Sequence, residues 1–112
     1  MAKPTIPDPL KRRHLAEEDL DPARAVALAD AYLADGRATE AIVFLEKAEA
    51  SDRLAELREQ AVAEGDLFLA RAAAATAGEE IPAETWLRLA EAAEAAGKTR
   101  YAHEARRQAQ RG

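Results

Sequence analysis

Three glycines divide the chain into helix-like segments of similar length. Gly36, Gly65 and Gly97 are 29 and then 32 residues apart, and a leucine precedes each of them by eight positions. On both sides of each glycine, apolar residues recur at helical spacing. Glycine takes the left-handed conformation that ends a helix at little steric cost. The pattern therefore predicts three helical hairpins, each with a glycine at its turn.

The composition favours the same fold class. Alanine accounts for 30 of the 112 residues, whereas the chain has only two Phe, one Trp, two Tyr and one Met. Alanine is the strongest helix former, and the β-branched and aromatic residues that favour strands are scarce. We therefore predict an all-α fold in which small side chains let helices pack closely.

The predicted hairpins span roughly residues 22–50, 51–78 and 81–111. Together they form one helical repeat domain over residues 21–112. Residues 1–20 are predicted to form an extended tail and a short basic helix.

Polar residues and prolines mark where the helices begin. Asp21, Ser51 and Asp66 are predicted N-caps, since a short polar side chain can accept a hydrogen bond from the first turn. Pro22 suits the first position of a helix, and Pro82 opens the third hairpin.

The segment LADAYLADGRATEAIVFLEKA, residues 28–48, resembles a tetratricopeptide (TPR) repeat. Each repeat of that family is a pair of helices, A and B. Helix A has a bulky residue, a Leu, a small residue and a Tyr. A Gly follows at the turn, and helix B has an Ala, a bulky residue and a second Ala. In the first hairpin these positions are Ala25, Leu28, Ala29, Tyr32, Gly36, Ala41, Leu45 and Ala48. In the third they are Trp86, Leu89, Ala90, Ala93, Gly97, Ala102, Arg106 and Ala109. The second hairpin departs from the pattern at Arg58, where the family has a small residue. The resemblance implies a short right-handed array of three stacked antiparallel hairpins.

The resemblance also implies a ligand site, because the A helices of that family line a concave groove. The groove positions in this chain are Val26, Asp30, Leu33, Ala55, Glu59, Val62, Leu87, Glu91 and Glu94. Four of the nine are carboxylates and none is Lys or Arg. The expected ligand is therefore a basic amphipathic peptide or helix of another protein.

The predicted function is that of a non-catalytic adaptor or scaffold for protein–protein interaction. One alternative is a structural helical-repeat protein that self-associates, because the ends of a short array favour pairing. Another is nucleic-acid binding through the arginine-rich C-terminal helix. The net charge of −5 makes that partner unlikely, since non-specific binding depends on positive charge.

Residues that carry catalytic or metal chemistry are few. The chain has no cysteine, two distant histidines and no glycine-rich phosphate-binding motif. We therefore expect no metal site, no cofactor and no enzymatic activity. No apolar run is long enough for a membrane span, and residues 1–15 have no apolar segment typical of a secretory signal. A cytoplasmic protein is expected.

The N-terminal arm offers a ligand within the chain itself. Asp8 is predicted to cap a short helix from Pro9, with Leu10 and His14 on its apolar edge and Lys11, Arg12 and Arg13 beside it. This helix could cover the exposed start of the array, or it could lie in the acidic groove of its own or another copy.

Overall fold

The fold is all-helical in the part of the chain that the structure describes. A computed structural model describes residues 6–7, 9–10, 12–13 and 20–111. The helices are α1 (Pro22–Ala34), α2 (Ala38–Lys47), α3 (Ser51–Glu64), α4 (Leu67–Thr76), α5 (Ala83–Ala95) and α6 (Thr99–Arg111). No strand occurs among the described residues. The prediction of an all-α fold with six helices is confirmed there.

The chain divides into two compact units, residues 1–54 and 55–112, and the boundary falls inside α3. In the first unit α1 packs against α2, and in the second α5 packs against α6. Each of these pairs is joined by a connection too short for anything but an antiparallel hairpin.

The first hairpin turns at Gly36, which has a φ of +74°. Beyond it, the Arg37 N–H donates to the Tyr32 carbonyl at 2.8 Å, so one of the last carbonyls of α1 is satisfied. Pro22 is the first residue of α1, as predicted. Asp21 occupies the N-cap, but its side chain makes no capping hydrogen bond.

Tyr32 is the centre of the first unit's core. Its ring stacks on that of Phe44, with ring centroids 5.6 Å apart and planes 8° from parallel. The Arg37 guanidinium lies 5.0 Å from the Tyr32 ring centroid. The Tyr32 hydroxyl is buried and has no hydrogen-bond partner among the described residues. Burial raises the pKa of Tyr32, although the charges of Arg12 and Arg37 act in the opposite direction.

The second unit depends on the turn between α3 and α4. Gly65 is buried, has a φ of +71°, and lies directly against the backbone of α5. A Cβ added at Gly65 would be 2.5 Å from the Cα and the N of Ala93. Lys98 lies next to this turn, where its Nζ donates to the carbonyl of Glu64 at 3.2 Å. Asp66 caps α4 as predicted, because its carboxylate accepts from the Leu69 N–H at 3.1 Å.

The core of the second unit joins its four helical segments. Trp86 and Leu89 supply most of its bulk, and the other positions are largely alanine. The buried cluster consists of Ala61, Val62, Leu67, Ala70, Trp86, Leu89, Ala90, Ala93, Ala102 and Ala105. Small residues on facing helices let the backbones approach closely, as the alanine content predicts.

One predicted cap is wrong, and part of the arm cannot be placed. Ser51 is the first residue of α3, and the Ala50 carbonyl accepts from the Leu54 N–H at 3.1 Å, so Ala50 is the N-cap. In the arm, the described residues 9–10 and 12–13 are helical. Asp8, Lys11 and His14 lie outside the described residues.

Among the described residues, none of the helices has both the length and the apolar character that crossing a membrane would require.

Replacing Gly65 with alanine should destabilise the protein far more than the same change at Gly97. Both glycines have positive φ, but an added Cβ at Gly97 has no atom within 4 Å. Gly97→Ala therefore carries only the cost of the left-handed backbone, on the order of 1 kcal/mol. Gly65→Ala also forces α5 away from the turn, which adds about 1–3 kcal/mol. Urea unfolding followed by circular dichroism measures the free energy of unfolding of both variants. Equal losses of stability would contradict the close approach of Gly65 to α5.

Tyr32→Phe should change how stability depends on pH. Because burial raises the pKa of folded Tyr32, the unfolded chain loses this proton first as pH rises above about 10. Wild-type stability should then decline through that range, and the Phe variant should lose less. At neutral pH the variant should be at least as stable, since removing an unpaired buried hydroxyl is neutral or favourable. Urea midpoints at neutral pH and near pH 11 test this, and parallel losses in the two proteins would count against it.

Candidate functional site

The nine predicted groove positions are distributed over both units. In the first unit, on α1, Val26 and Leu33 are half-buried and Asp30 is exposed. In the second unit, Ala55 is half-buried on α3 and Glu59 is exposed on the same helix. On α5 the exposed positions are Leu87, Glu91 and Glu94.

Val62 does not contribute to an exposed surface. Its side chain is only 1% exposed and belongs to the core of the second unit. We call the exposed residues of this unit, Glu59, Leu87, Glu91 and Glu94, the acidic face.

The apolar stripe of α5 explains why its part of the acidic face points outwards. Trp86, Leu89 and Ala93 are spaced for one side of a helix and are buried in the core. Leu87 and Glu91 are four residues apart, so they lie next to each other on a different side. The Leu87 side chain remains 50% exposed.

Two arginines from outside the predicted groove positions pair with carboxylates of this face. Arg88 Nη1 lies 3.4 Å from Glu59 Oε2, which connects α5 to α3. Arg106 of α6 forms an ion pair with Glu94. Both arginines come from positions outside the predicted groove set, so the set alone overstated the negative charge of the surface.

Other carboxylates are paired in the same way. In the first unit, Asp30 forms an ion pair with Arg53. In the second, Arg58 donates to Glu79 at 2.6 Å and also lies 3.4 Å from Glu59. The Arg58 guanidinium thus lies beside acidic partners at the position where the TPR pattern has a small residue.

Glu91 is the exception among the four predicted carboxylates. It is exposed and makes no ion pair or hydrogen bond with any residue that the structure describes. The acidic face therefore combines an exposed leucine and an unpaired glutamate with two glutamates whose partners are surface arginines. Exposed ion pairs of this kind contribute about 0–1 kcal/mol, so an incoming cation can replace an arginine at little cost.

The structure also reveals a surface that the sequence analysis missed, on α4 and α6. The Phe68 side chain is 66% exposed, and its ring meets the Tyr101 ring edge-on, with centroids 5.5 Å apart and planes at 88°. Arg71 and Arg100 are exposed near these aromatics in sequence. We call Phe68, Arg71, Arg100 and Tyr101 the aromatic–arginine patch. Phe68 could have been noticed as an apolar residue that lies off the buried face of α4.

A cleft of about 410 Å³ lies between the arm and α2 in the first unit. Residues of the arm and of α2 line it together: Pro9, Arg12, Arg13, Thr39, Glu40, Val43 and Phe44. Arg12 Nη1 is 3.9 Å from Glu40 Oε1. The described arm residues thus lie against the first hairpin, a position that favours the capping role for the arm.

The arginines of α6 are partly engaged within the protein. Arg106 pairs with Glu94, and Arg107 donates to Glu104 at 2.7 Å. These pairs are exposed and therefore contribute little to stability.

No three His, Asp or Glu side chains of the described residues come together in a group suited to holding a metal ion. No protein-family model, curated protein or solved structure matches the chain.

Proposed function

We propose that this protein is a non-catalytic, TPR-like interaction module whose acidic face binds a basic amphipathic segment of another protein. The observation that carries the proposal is Leu87, half exposed beside the unpaired Glu91 on one side of α5. An apolar anchor next to a carboxylate suits a helix that presents leucines and lysines on one face.

The surrounding ion pairs support this choice of ligand. Arg88 and Arg106 act as exchangeable counter-ions for Glu59 and Glu94. When a basic ligand arrives, its cations can take over these carboxylates, and the arginines return to water. An acidic ligand would instead place its charge against Glu91.

The three half-buried or exposed positions of α1, Val26, Asp30 and Leu33, have the same mixture of aliphatic and acidic groups. We propose the same kind of ligand for them.

The absence of cysteine fits a reducing compartment, and we propose that this protein acts in the cytoplasm.

The proposal can be tested with a synthetic helical peptide of leucine and lysine, labelled for fluorescence anisotropy. Glu91→Lys should weaken binding roughly tenfold, since it replaces an attraction by a repulsion. Leu87→Ala should also weaken binding, by removing the apolar contact. Arg88→Gln should strengthen binding by about twofold to fivefold, because it removes one of the two arginines that pair with Glu59.

Arg111→Gln is the matched control for Arg88→Gln, because it makes the same charge change on an exposed residue at the end of α6. It should leave peptide affinity nearly unchanged. Circular dichroism verifies that each variant keeps the wild-type helix content. Equal peptide affinity for wild type and Glu91→Lys would disprove the acidic face as the binding surface.

A further inference from the structure

The aromatic–arginine patch is unusual because it exposes aromatic surface in a chain with few aromatic residues. Phe68 makes a T-shaped ring contact with Tyr101, and two thirds of its side chain is exposed. Protein–protein interfaces are enriched in aromatic residues and in arginine.

The charge of this patch is positive. Arg71 and Arg100 make no ion pair or hydrogen bond with any described residue. Glu104 lies nearby but already accepts hydrogen bonds from Gln108 at 2.9 Å and from Arg107 at 2.7 Å. The bond from Gln108, together with the charges of Arg107 and Arg71, holds the pKa of Glu104 below its usual value.

The acidic face of the same unit has the opposite properties. Leu87 is its apolar anchor, and the unpaired Glu91 lies four residues further along α5. Glu84 precedes Leu87 by one turn, is exposed, and also makes no ion pair with a described residue. Each surface thus presents one exposed apolar group together with two charged side chains that make no ion pair with a described residue, and the two surfaces differ in the sign of those charges.

We propose that the partner of the acidic face is a second copy of this chain, which docks through its aromatic–arginine patch. This inference rests on the proposed function and specifies the basic amphipathic ligand. Phe68 of one copy would pack against Leu87 of the next, with Arg71 and Arg100 facing Glu84 and Glu91.

Charge complementarity also decides the symmetry of the contact. Pairing two identical patches would oppose arginine to arginine, or glutamate to glutamate, which is unfavourable. Pairing the acidic face with the aromatic–arginine patch places arginine opposite glutamate, so the charges of both surfaces are compensated. Such a contact is heterologous and leaves one free surface of each kind on every pair, so association continues beyond the dimer or closes into a ring.

Charge reversal provides a stringent test by sedimentation at low ionic strength. The wild type should gain mass as its concentration rises, and added salt should reverse the gain. Arg71→Glu with Arg100→Glu should abolish the association, and so should Glu84→Lys with Glu91→Lys. An equimolar mixture of these two double variants should associate again, because each altered surface meets its new complement in the other protein.

Matched controls separate this contact from a general effect of charge. Arg24→Glu with Arg111→Glu makes the same charge change at exposed sites outside both surfaces and should leave the mass distribution unchanged. Phe68→Ala, which retains all charges, should weaken self-association at least tenfold. The single variant Glu91→Lys serves if a double variant loses helix content in circular dichroism.

Three results would overturn the inference. These are a monomer at every concentration in low salt, self-association that both double variants retain, and a mixture of the double variants that does not associate.

The leucine–lysine peptide separates the two proposals. If the wild type binds that peptide at Leu87 and Glu91 yet stays monomeric, the acidic face is a binding surface and only the second copy is excluded. If the wild type self-associates but does not bind the peptide, the proposed ligand class is wrong.

Discussion

The contact between Gly65 and the backbone of α5 determines how the second unit is built. No side chain separates the turn from α5 there, and a Cβ would be 2.5 Å from the Cα of Ala93. Lys98 binds the carbonyl of Glu64 beside the turn and holds the end of α3 near the start of α6. With α5 held in this position, Trp86 and Leu89 enter the core, and Leu87 and Glu91 are left on the surface.

Pairing by arginines sets the electrostatic character of that surface. Arg88 and Arg106 pair with Glu59 and Glu94 across neighbouring helices, whereas Glu91 makes no ion pair with a described residue. Because exposed pairs are weak, this arrangement favours exchange of partners over rigid structure. Binding to such a surface should be fast, salt-sensitive and dependent on an apolar anchor for its strength.

The second unit carries two surfaces with different chemistry on different helices. The acidic face uses α3 and α5, and the aromatic–arginine patch uses α4 and α6. A protein with one surface of each sign can join neighbours of opposite charge. This property connects the proposed adaptor role with the proposed self-association, since both use the exposed Leu87 and Glu91.

Much of the local structure could be read from the sequence. Helix periodicity, the glycines at the turns, Pro22 and the cap at Asp66 depend on interactions within a few residues, so the sequence is sufficient to predict them. Two predictions about helix caps did not hold, although caps are also local features. Ala50 rather than Ser51 caps α3, and Asp21 leaves its capping bond unmade.

The candidate site could be only partly predicted from the sequence. Leu87, Glu91 and Glu94 are implied by the resemblance, and helical spacing agrees with it because it places them away from the buried side of Trp86, Leu89 and Ala93. Other features depend on tertiary packing. It buries Val62, and it brings Glu59, Glu94 and Phe68 to partners that lie between 12 and 33 positions away along the chain. The sequence by itself therefore determined the helices, their turns and the charges available. Only the tertiary structure decided which carboxylates stay unpaired and which apolar groups stay exposed, because both depend on neighbours that lie far away along the chain.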